Sequence, residues 1–292
     1  MKNFVSAFLI FFVSFFAIGQ NQEISKIISL RKKNLKPIKD QIISSIEDQK
    51  NNLITISDGI WEAAETSLEE FKSSKLLIDY ARANGFEVTE NVADISTAFM
   101  ASYGSGKPVI GILGEFDANA GISQKRQPTK EARVKGGAGH GCGHNLYGTA
   151  SLGAAVAIKE QIEKGNLKGT VIFYGTPAEE TIFAKVWMVR EGLFDDVDIV
   201  LHWHPDDSNS ANSRTSNANK SAKFTFNGIS AHAAGSPEQG RSALDGVEAM
   251  NHMVNMMREH IPQESRIHYV ITKGGLAPNV VPDVAEVYYY VR

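Results

Sequence analysis

The sequence predicts an α/β protein with a mixed, largely parallel sheet and helices on both faces, followed by a smaller α+β domain. Before residue 206, short strands of β-branched and aromatic residues alternate with helical segments, which is typical of parallel strands joined by helices. A polar segment from Asp206 to Lys220 predicts a linker, and the strands and helix beyond it no longer alternate in this way. With 292 residues, 42% of them hydrophobic, the chain is long enough for two domains.

The part of the chain before the linker begins with a long helical region. Isoleucine and leucine recur at helical spacing from Gln22 to about Glu90, and Gly85 is expected to end the last helix. The elements expected next are strands at Thr97–Ser102 and Pro108–Leu113, a helix at Leu146–Lys159, a strand at Thr170–Tyr174, a helix at Ile182–Val189 and a strand at Val197–Leu201. The Gly-rich stretch Ala118–Gly143 predicts no regular element.

The part after the linker is predicted to hold three strands and one helix. These elements are a strand at Ala222–Phe226, a helix at Gly240–Glu259, and strands at His268–Thr272 and Ala285–Val291. We therefore expect a first domain at residues 20–215 and a second at residues 216–292.

Residues 1–19 predict a cleavable signal peptide. Lys2 precedes an apolar run from Phe4 to Ile18, and Ala17 and Gly19 supply the small residues of a cleavage site. The alternative, a transmembrane anchor, needs about 20 apolar residues, and this run is shorter. We expect a secreted or periplasmic protein without stable membrane insertion after cleavage.

The charge and the cysteine count narrow the possible partners. A formal net charge of −3 gives no excess of basic residues for phosphates, so we expect small-molecule substrates and no nucleic-acid partner. The single cysteine, Cys142, excludes an intrachain disulfide. Cys142 is therefore either a small buried side chain or a metal ligand.

The residues around Cys142 favour the metal ligand. Cys142 and His144 are two positions apart in a glycine-rich loop just before a predicted helix, whose N-terminus favours a thiolate. Cysteine and histidine at this spacing are good ligands for zinc and similar ions.

Further acidic and histidine side chains follow three successive strands of the predicted sheet. They are, in chain order, Glu115, Asp117, Glu179, Glu180, His202 and His204. Carboxylates are most often solvated surface residues. However, open α/β sheets place their ligand-binding sites at the edge formed by the carboxyl ends of the strands, and these strand ends should meet there. The sequence therefore predicts a metal site at this edge.

Six motifs in this order resemble those of the dinuclear-metal aminoacylase and carboxypeptidase G family, and most of all its aminobenzoyl-glutamate hydrolase subunits. The motifs are Gly-Glu-Phe-Asp-Ala (114–118), Gly-His-Gly-Cys-Gly-His-Asn (139–145), Thr-Pro-Ala-Glu-Glu-Thr (176–181), His-Trp-His-Pro (202–205), Gly-Ile-Ser-Ala-His-Ala-Ala (228–234) and Pro-Asn-Val-Val-Pro (278–282). The resemblance covers residues 56–292. It implies a metallopeptidase-like catalytic domain followed by a lid that also forms the dimer.

The resemblance also implies roles for the residues of the metal site. Cys142 would bridge two metal ions, and His144, Glu180 and His204 would be further ligands. Glu179 would be the general base.

Many members of the family carry His-x-Asp in the first motif, where this chain has Glu115 and Asp117. The resemblance implies that Asp117 supports His144. It leaves Glu115 and His202 without an assigned role.

In the lid, the resemblance implies that His232 stabilises an oxyanion in the active site of the partner subunit. Asn279 and Arg292 would hold a substrate carboxylate, although a turn and a solvated strand end are their ordinary alternatives. We therefore expect a homodimer formed through the lid.

The predicted activity is hydrolysis of an amide bond in an N-acyl amino acid, a small dipeptide or an aminobenzoyl-glutamate-like compound. Two divalent metal ions, zinc first and manganese or cobalt as alternatives, would share a water, and Glu179 would take its proton. An ester is an alternative substrate for the same site.

The family's catalytic domain resumes after the lid and there supplies one more histidine ligand, whereas this sequence ends at Arg292. We expect the catalytic fold to be incomplete at the C-terminus. The alternative hypothesis is a truncated, non-catalytic binding or dimerisation homologue.

Overall fold

The structure is a computed structural model that describes residues 35–211 and 215–292. They form two units, one ending at Ser208 and one starting at Asn209. The predicted signal peptide and the first residues of the predicted helical region lie outside the described residues. Of the helices in the described ranges, none has the length and apolar character needed to cross a membrane.

The predicted helical region contains two helices in its described part, and Gly85 follows the second one as predicted, but its last residues, Glu87–Glu90, form a strand instead. Helix α1 covers residues 35–63 and helix α2 covers Phe71–Ala83, while Glu87–Glu90 form a strand, β1. Ala64 and Leu68 have positive φ angles of 43° and 66°, which end the first helix. Strand β1 is short and mostly exposed, so it forms because a neighbouring strand pairs with it.

The first unit contains a five-stranded mixed sheet. Its other strands are β2 (Phe99–Ser105), β3 (Val109–Gly114), β4 (Gly169–Gly175) and β5 (Ile199–Leu201). The strand order is β1-β2-β4-β3-β5. The pairs β3–β4 and β3–β5 are parallel, and the pairs β1–β2 and β2–β4 are antiparallel.

Two further helices connect the parallel strands. Helix α3 (His144–Glu163) joins β3 to β4, and helix α4 (Ala184–Arg190) joins β4 to β5. The core between the sheet, α2 and α3 includes Phe99, Phe173, Leu77, Ile60 and Leu152, all fully buried. This rigid core fixes where β3, β4 and α3 end or begin, and the candidate site lies at those ends.

The second unit is a three-stranded antiparallel sheet with one helix. Its elements are β6 (Lys220–Asn227), α5 (Ala243–Met257), β7 (Ile267–Lys273) and β8 (Val284–Val291), with strand order β6-β8-β7. Ala285, Val287 and Tyr289 alternate along β8 and are buried with Val247 of α5. The α+β prediction for this part therefore matches the observed elements.

The segment between α1 and α2 is bonded to the loop that follows β4. Glu70 is fully buried, and its Oε1 accepts the N–H of Ala178 at 2.9 Å. Its Oε2 accepts the hydroxyl of Thr97 at 2.9 Å. Ala178 has a positive φ of 55°, an uncommon conformation that surrounding contacts must hold. Glu70 therefore holds the backbone just before Glu179.

We expect Glu70→Ala to lower the urea midpoint of unfolding, because buried Ala178 N–H and Thr97 hydroxyl both lose their partner. An unsatisfied buried polar group costs about 1–3 kcal/mol. Glu70→Gln is the matched control, since the amide can still accept from Ala178 and donate to Thr97. An alanine variant that unfolds at the same urea concentration as the glutamine variant would contradict this role.

The same pair of proteins tests the charge on Glu70. Burial raises the pKa of the Glu70 carboxyl above its ordinary value of 4.5. Ionised Glu70 is therefore disfavoured in the folded state, and this penalty is absent below pH 4.5 and grows as the pH rises above it. As the pH rises above 4.5, we expect the urea midpoint of the parent protein to fall relative to that of Glu70→Gln.

Candidate metal centre

The parallel strands bring the predicted site residues to one edge of the sheet. Gly114 at the end of β3 lies opposite Gly175 at the end of β4, and Ile112 lies opposite Leu201 of β5. The chain segments 115–117, 176–180 and 202–204 therefore leave the sheet side by side. This confirms the predicted meeting of the strand ends.

Helix α3 brings the fourth segment to this edge. Gly143 precedes the helix with a φ of 74°, a left-handed conformation that glycine adopts without strain. At Gly148, a Cβ atom would lie 2.5 Å from the carbonyl oxygen of Glu115. Only glycine allows α3 to approach β3 this closely, and the approach places His144 beside Glu115.

His144 lies at the centre of the site and is fully buried. Its Nδ1 lies 2.9 Å from Asp117 Oδ1, so the carboxylate holds the tautomer with the proton on Nδ1. Its Nε2 lies 3.0 Å from Glu115 Oε2 and 3.9 Å from Glu180 Oε1. None of these three atoms has a hydrogen-bond partner among the described residues. All three are buried atoms that could act as metal ligands, and they lie around the same small volume.

The ligand atoms form two overlapping groups. The ligand atoms of Cys142, His144 and His204 lie within 4.8 Å of one another, as do those of Glu115, His144 and Glu179. His144 belongs to both groups. We call these five residues together with Glu180 the candidate metal centre.

The roles predicted for these residues remain predictions, whereas the structure shows where each residue lies. Cys142, His144 and His204 come together as a three-residue group, and Glu180 joins them through its contact with His144. Glu179, predicted to be the base, lies in the second group with Glu115, to which the sequence assigned no role. His202 lies at the rim, half-exposed, with Nε2 3.9 Å from Glu115 Oε1.

The centre carries more negative than positive charge. Burial alone would raise the pKa of the Glu115 carboxyl, but the neighbouring imidazoles of His144 and His202 and the ion pair with Lys185 hold it well below its usual range. Burial alone would lower the pKa of His144, but the carboxylates of Asp117 and Glu115 raise it to about 10. Burial, followed by the neighbouring charge of Glu115, raises the pKa of Glu179.

The same excess of negative charge acts on the thiol of Cys142. Burial and the carboxylate of Glu180 raise the pKa of its thiol to about 11, so without a cation the thiol stays protonated despite the helix that follows it. Asn119 donates to Cys142 Sγ at 3.7 Å, and its Oδ1 accepts the Cys142 N–H at 3.3 Å. A bound cation would favour the thiolate that these contacts already orient.

The residues present therefore fit a divalent metal. Unpartnered buried donor atoms on His144, Glu115 and Glu180 are costly unless something binds them. A set of imidazole, thiolate and carboxylate donors matches zinc and its neighbours among the transition metals. Such an ion could be held by Cys142, His144, Glu180 and His204. A second ion could be held near Glu115 and Glu179.

Sequence reasoning missed several residues that position this centre. Asp117 does more than support His144, because its Oδ2 also accepts the N–H of Glu180 at 2.9 Å. Lys185 of α4 pairs with buried Glu115. Glu65 accepts the N–H of Ser73 at 2.9 Å, and its carbonyl accepts the N–H of Ala118 at 2.8 Å. These contacts join distant segments, and no spacing pattern in the sequence indicates them.

Two of the predicted lid residues lie together. His232 and Val280 form an isolated β-bridge, and Asn279 O accepts the N–H of Ala233 at 3.1 Å. Arg292 directly follows β8, whereas Asn279 precedes it. At about 3.3 Å per residue, the strand between them is on the order of 20 Å long. Asn279 and Arg292 therefore lie on either side of β8, and their predicted contact with a substrate carboxylate stays a prediction.

The comparisons with known proteins agree with this architecture. Residues 215–292 match the peptidase dimerisation domain family. The chain is 50% identical to one of the p-aminobenzoyl-glutamate hydrolase subunits of Escherichia coli over 256 residues, which cover 86% of this chain and 53% of that protein. The chain therefore spans about half the length of this relative.

Solved structures show the same fold. An aminobenzoyl-glutamate utilization protein from Klebsiella pneumoniae matches with a TM-score of 0.58 and 18% identity, over 86% of this chain and 69% of that one. A dinuclear metal binding peptidase of the M20 family from Bacillus subtilis matches with a TM-score of 0.54 and 21% identity, over 83% of this chain and 65% of that one. Together with the sequence motifs and the dimerisation domain, these matches show that the chain belongs to the M20 family, the dinuclear-metal peptidases and amidohydrolases to which the aminobenzoyl-glutamate hydrolase subunits belong.

Proposed function

We propose that the full-length protein is a metal-dependent hydrolase that cleaves an amide bond in a small N-acyl amino acid, a dipeptide or an aminobenzoyl-glutamate-like compound. The observation that carries this proposal is the convergence of unpartnered, buried donor atoms of His144, Glu115 and Glu180 beside Cys142. The name of the Escherichia coli relative supports this substrate class. A metal-free binding protein would have no use for such a set of donors.

The proposed base is Glu179. Divalent ions, when bound, supply Lewis-acid activation of a water and of the substrate carbonyl. Burial and the charge of Glu115 raise the pKa of the Glu179 carboxyl above its ordinary value, which is the direction that favours a general base. Glu179 would accept the proton of the attacking water and pass it to the leaving amine.

Zinc is the proposed metal, with manganese or cobalt as alternatives. The thiolate of Cys142 is a soft ligand that magnesium and calcium do not favour. Imidazole and carboxylate donors fit all three proposed ions, so the thiolate is the main reason to place zinc first.

The lid residue His232 is proposed to stabilise the oxyanion from the neighbouring subunit. Its Nδ1 accepts the N–H groups of Ala234 and Gly235 at 3.2 and 3.0 Å. The neutral ring must then carry its proton on Nε2, which is free to donate to an oxyanion. Asn279 and Arg292, which flank β8, are proposed to hold the substrate carboxylate.

We propose that the dimer is a homodimer formed by the lid. Residues 215–292 match a dimerisation domain, and Met253, Met256 and Met257 of α5 are each more than half exposed. Their spacing places them on one face of the helix, where they form an apolar stripe. The Escherichia coli relative is named as one subunit of its hydrolase, so association with a second kind of chain is the alternative. Export through the predicted signal peptide is likewise a proposal.

The metal prediction is tested first on purified, full-length protein loaded with zinc or manganese. We expect elemental analysis to find about two divalent ions per protomer, as in other two-metal sites. His144→Gln should lower this content, because it removes the residue common to both ligand groups. His252→Gln changes an exposed histidine of α5 and should leave the content unchanged. Absence of bound metal in the loaded parent protein would overturn the proposal.

The adjacent glutamates provide a matched pair of variants. Glu179→Gln keeps its shape but cannot accept a proton, so turnover should fall by about 10²–10⁴ with metal content unchanged. Glu180→Gln should lower metal affinity, since an amide is a poorer ligand than a carboxylate. The assay follows the amine released from an N-acyl amino acid or from an aminobenzoyl-glutamate-like amide. Parent rates and unchanged metal in both variants would show that neither glutamate has its proposed role.

The homodimer is tested by sedimentation of the full-length protein at micromolar concentration. We expect a dimer for the parent, and a shift toward monomer for Met253→Glu, which places a charge in the apolar stripe. Ile43→Glu of α1 is the matched control, because Ile43 is 62% exposed and Met253 is 56% exposed. A monomeric parent, or equal behaviour of the two variants, would contradict a dimer formed through this face.

A further inference from the structure

A second cleft adjoins the loop that carries Cys142. It has a volume of about 200 Å³, and its lining includes Trp61, Arg126, Arg133, His140 and Gly141. This volume admits part of a small molecule, since whole small-molecule sites measure about 300–1,000 Å³.

The segment that covers this cleft is strongly basic. Between residues 124 and 135 the basic residues are Lys125, Arg126, Lys130, Arg133 and Lys135, and the single acidic residue is Glu131. Five positive charges less one negative charge leave a surplus of four, in a chain whose net charge is −3. The segment is mostly exposed, so this charge faces solvent and attracts anions.

Most of the charges lining the cleft are already paired, but that of Arg133 is not. Arg126 contacts both carboxylate oxygens of Asp58, at 3.1 and 3.0 Å, and Lys125 pairs with Glu131. Arg133 donates one bond, to the carbonyl oxygen of Glu62 at 2.6 Å, and makes no ion pair within the described ranges. A guanidinium has five N–H donors, so most of those of Arg133 remain available.

Trp61 supports Arg133 in this position. The guanidinium carbons of Arg133 and Arg126 lie 4.9 and 4.4 Å from the centroid of the Trp61 ring. Stacking on an aromatic ring limits the motion of an otherwise flexible side chain. The guanidinium therefore loses less conformational freedom when it binds an anion.

The cleft borders the loop that carries Cys142 of the candidate metal centre. Its wall includes Gly141, which is the residue before Cys142. Asn119 Oδ1 accepts the N–H of Gly141 at 3.1 Å and that of Cys142 at 3.3 Å, so one side chain fixes both. Consecutive Cα atoms are about 3.8 Å apart, so this wall of the cleft lies one residue away from the candidate ligand Cys142.

We propose that Arg133, stacked on Trp61, binds a carboxylate of the substrate that is remote from the amide bond to be cleaved. This inference rests on the proposed function and narrows its substrate class to N-acyl amino acids with an additional carboxylate. A planar guanidinium with free donors matches a carboxylate. The carboxylate can belong to the amino acid or to the acyl group, and the test separates these two sources.

The test measures kcat and KM of the metal-loaded, full-length protein for two pairs of substrates. N-benzoylglutamate and N-benzoylglutamine differ by a carboxylate on the amino acid side. N-(4-carboxybenzoyl)glycine and N-benzoylglycine differ by a carboxylate on the acyl side. We expect the parent protein to prefer the acidic member of one pair, and the preference to weaken as salt is added.

Arg133→Gln should remove that preference. The acidic substrate should lose roughly 10- to 100-fold in kcat/KM, the effect of one charged hydrogen bond, mostly through KM. Its neutral partner should change little, which also shows that the variant is folded. Arg190→Gln is the matched control, because Arg190 is also exposed and stacks on a tryptophan, Trp187, at 4.2 Å, outside the cleft.

The outcomes separate the two proposals. A parent protein that hydrolyses none of the four compounds would overturn the proposed function together with this inference. A parent that hydrolyses them without an acidic preference, or whose preference survives in Arg133→Gln, would overturn this inference alone.

Should the glutamine variant fail to fold, Arg133→Lys and the salt dependence of the parent's preference decide. An acidic preference that salt does not weaken and that Arg133→Lys leaves intact would again overturn it.

Discussion

One buried carboxylate, that of Asp117, holds the candidate metal centre together. Its Oδ1 lies 2.9 Å from His144 Nδ1 at the start of α3, and its Oδ2 accepts the N–H of Glu180 after β4. Charge-assisted bonds of this kind are worth about 1.5–3 kcal/mol each. Since Asp117 itself follows β3, the single side chain connects three elements, and each of them presents a ligand atom.

The charged groups gathered in the candidate metal centre lower the stability of the folded protein. Several acidic groups and a thiol surround the imidazole of His144, and Lys185 forms an ion pair with one of these acids, Glu115. Burial, and after it the negative charge of the neighbouring carboxylates, disfavours the charged forms of Glu179 and Cys142 and raises the pKa of both groups. The rigid core behind the strand ends supplies the stability that holds these groups in place. Binding of a cation would relieve the repulsion, so the arrangement favours metal over the empty site.

Much of this architecture follows from local sequence patterns. β-branched runs predicted β3 and β4 to within a few residues, and the parallel arrangement then brought Glu115, Glu179 and His204 to one edge. Strand β1 could not be predicted, because its four residues are mostly exposed and become a strand only by pairing with β2. The bond from Glu70 to Ala178 joins residues 108 positions apart, and no periodic pattern reports such a contact.

The chain combines an acidic centre with a basic segment in the same unit, and the two have opposite effects on a charged substrate. Before metal binds, the carboxylates of Glu115, Glu179 and Glu180 repel an anionic substrate. The basic segment 124–135 attracts it, and the two interactions act over distances comparable to the Debye length of about 8–10 Å. Once divalent cations neutralise the centre, only the attraction remains. We therefore expect an anionic substrate to bind better to the metal-loaded protein, which would couple substrate binding to metal occupancy.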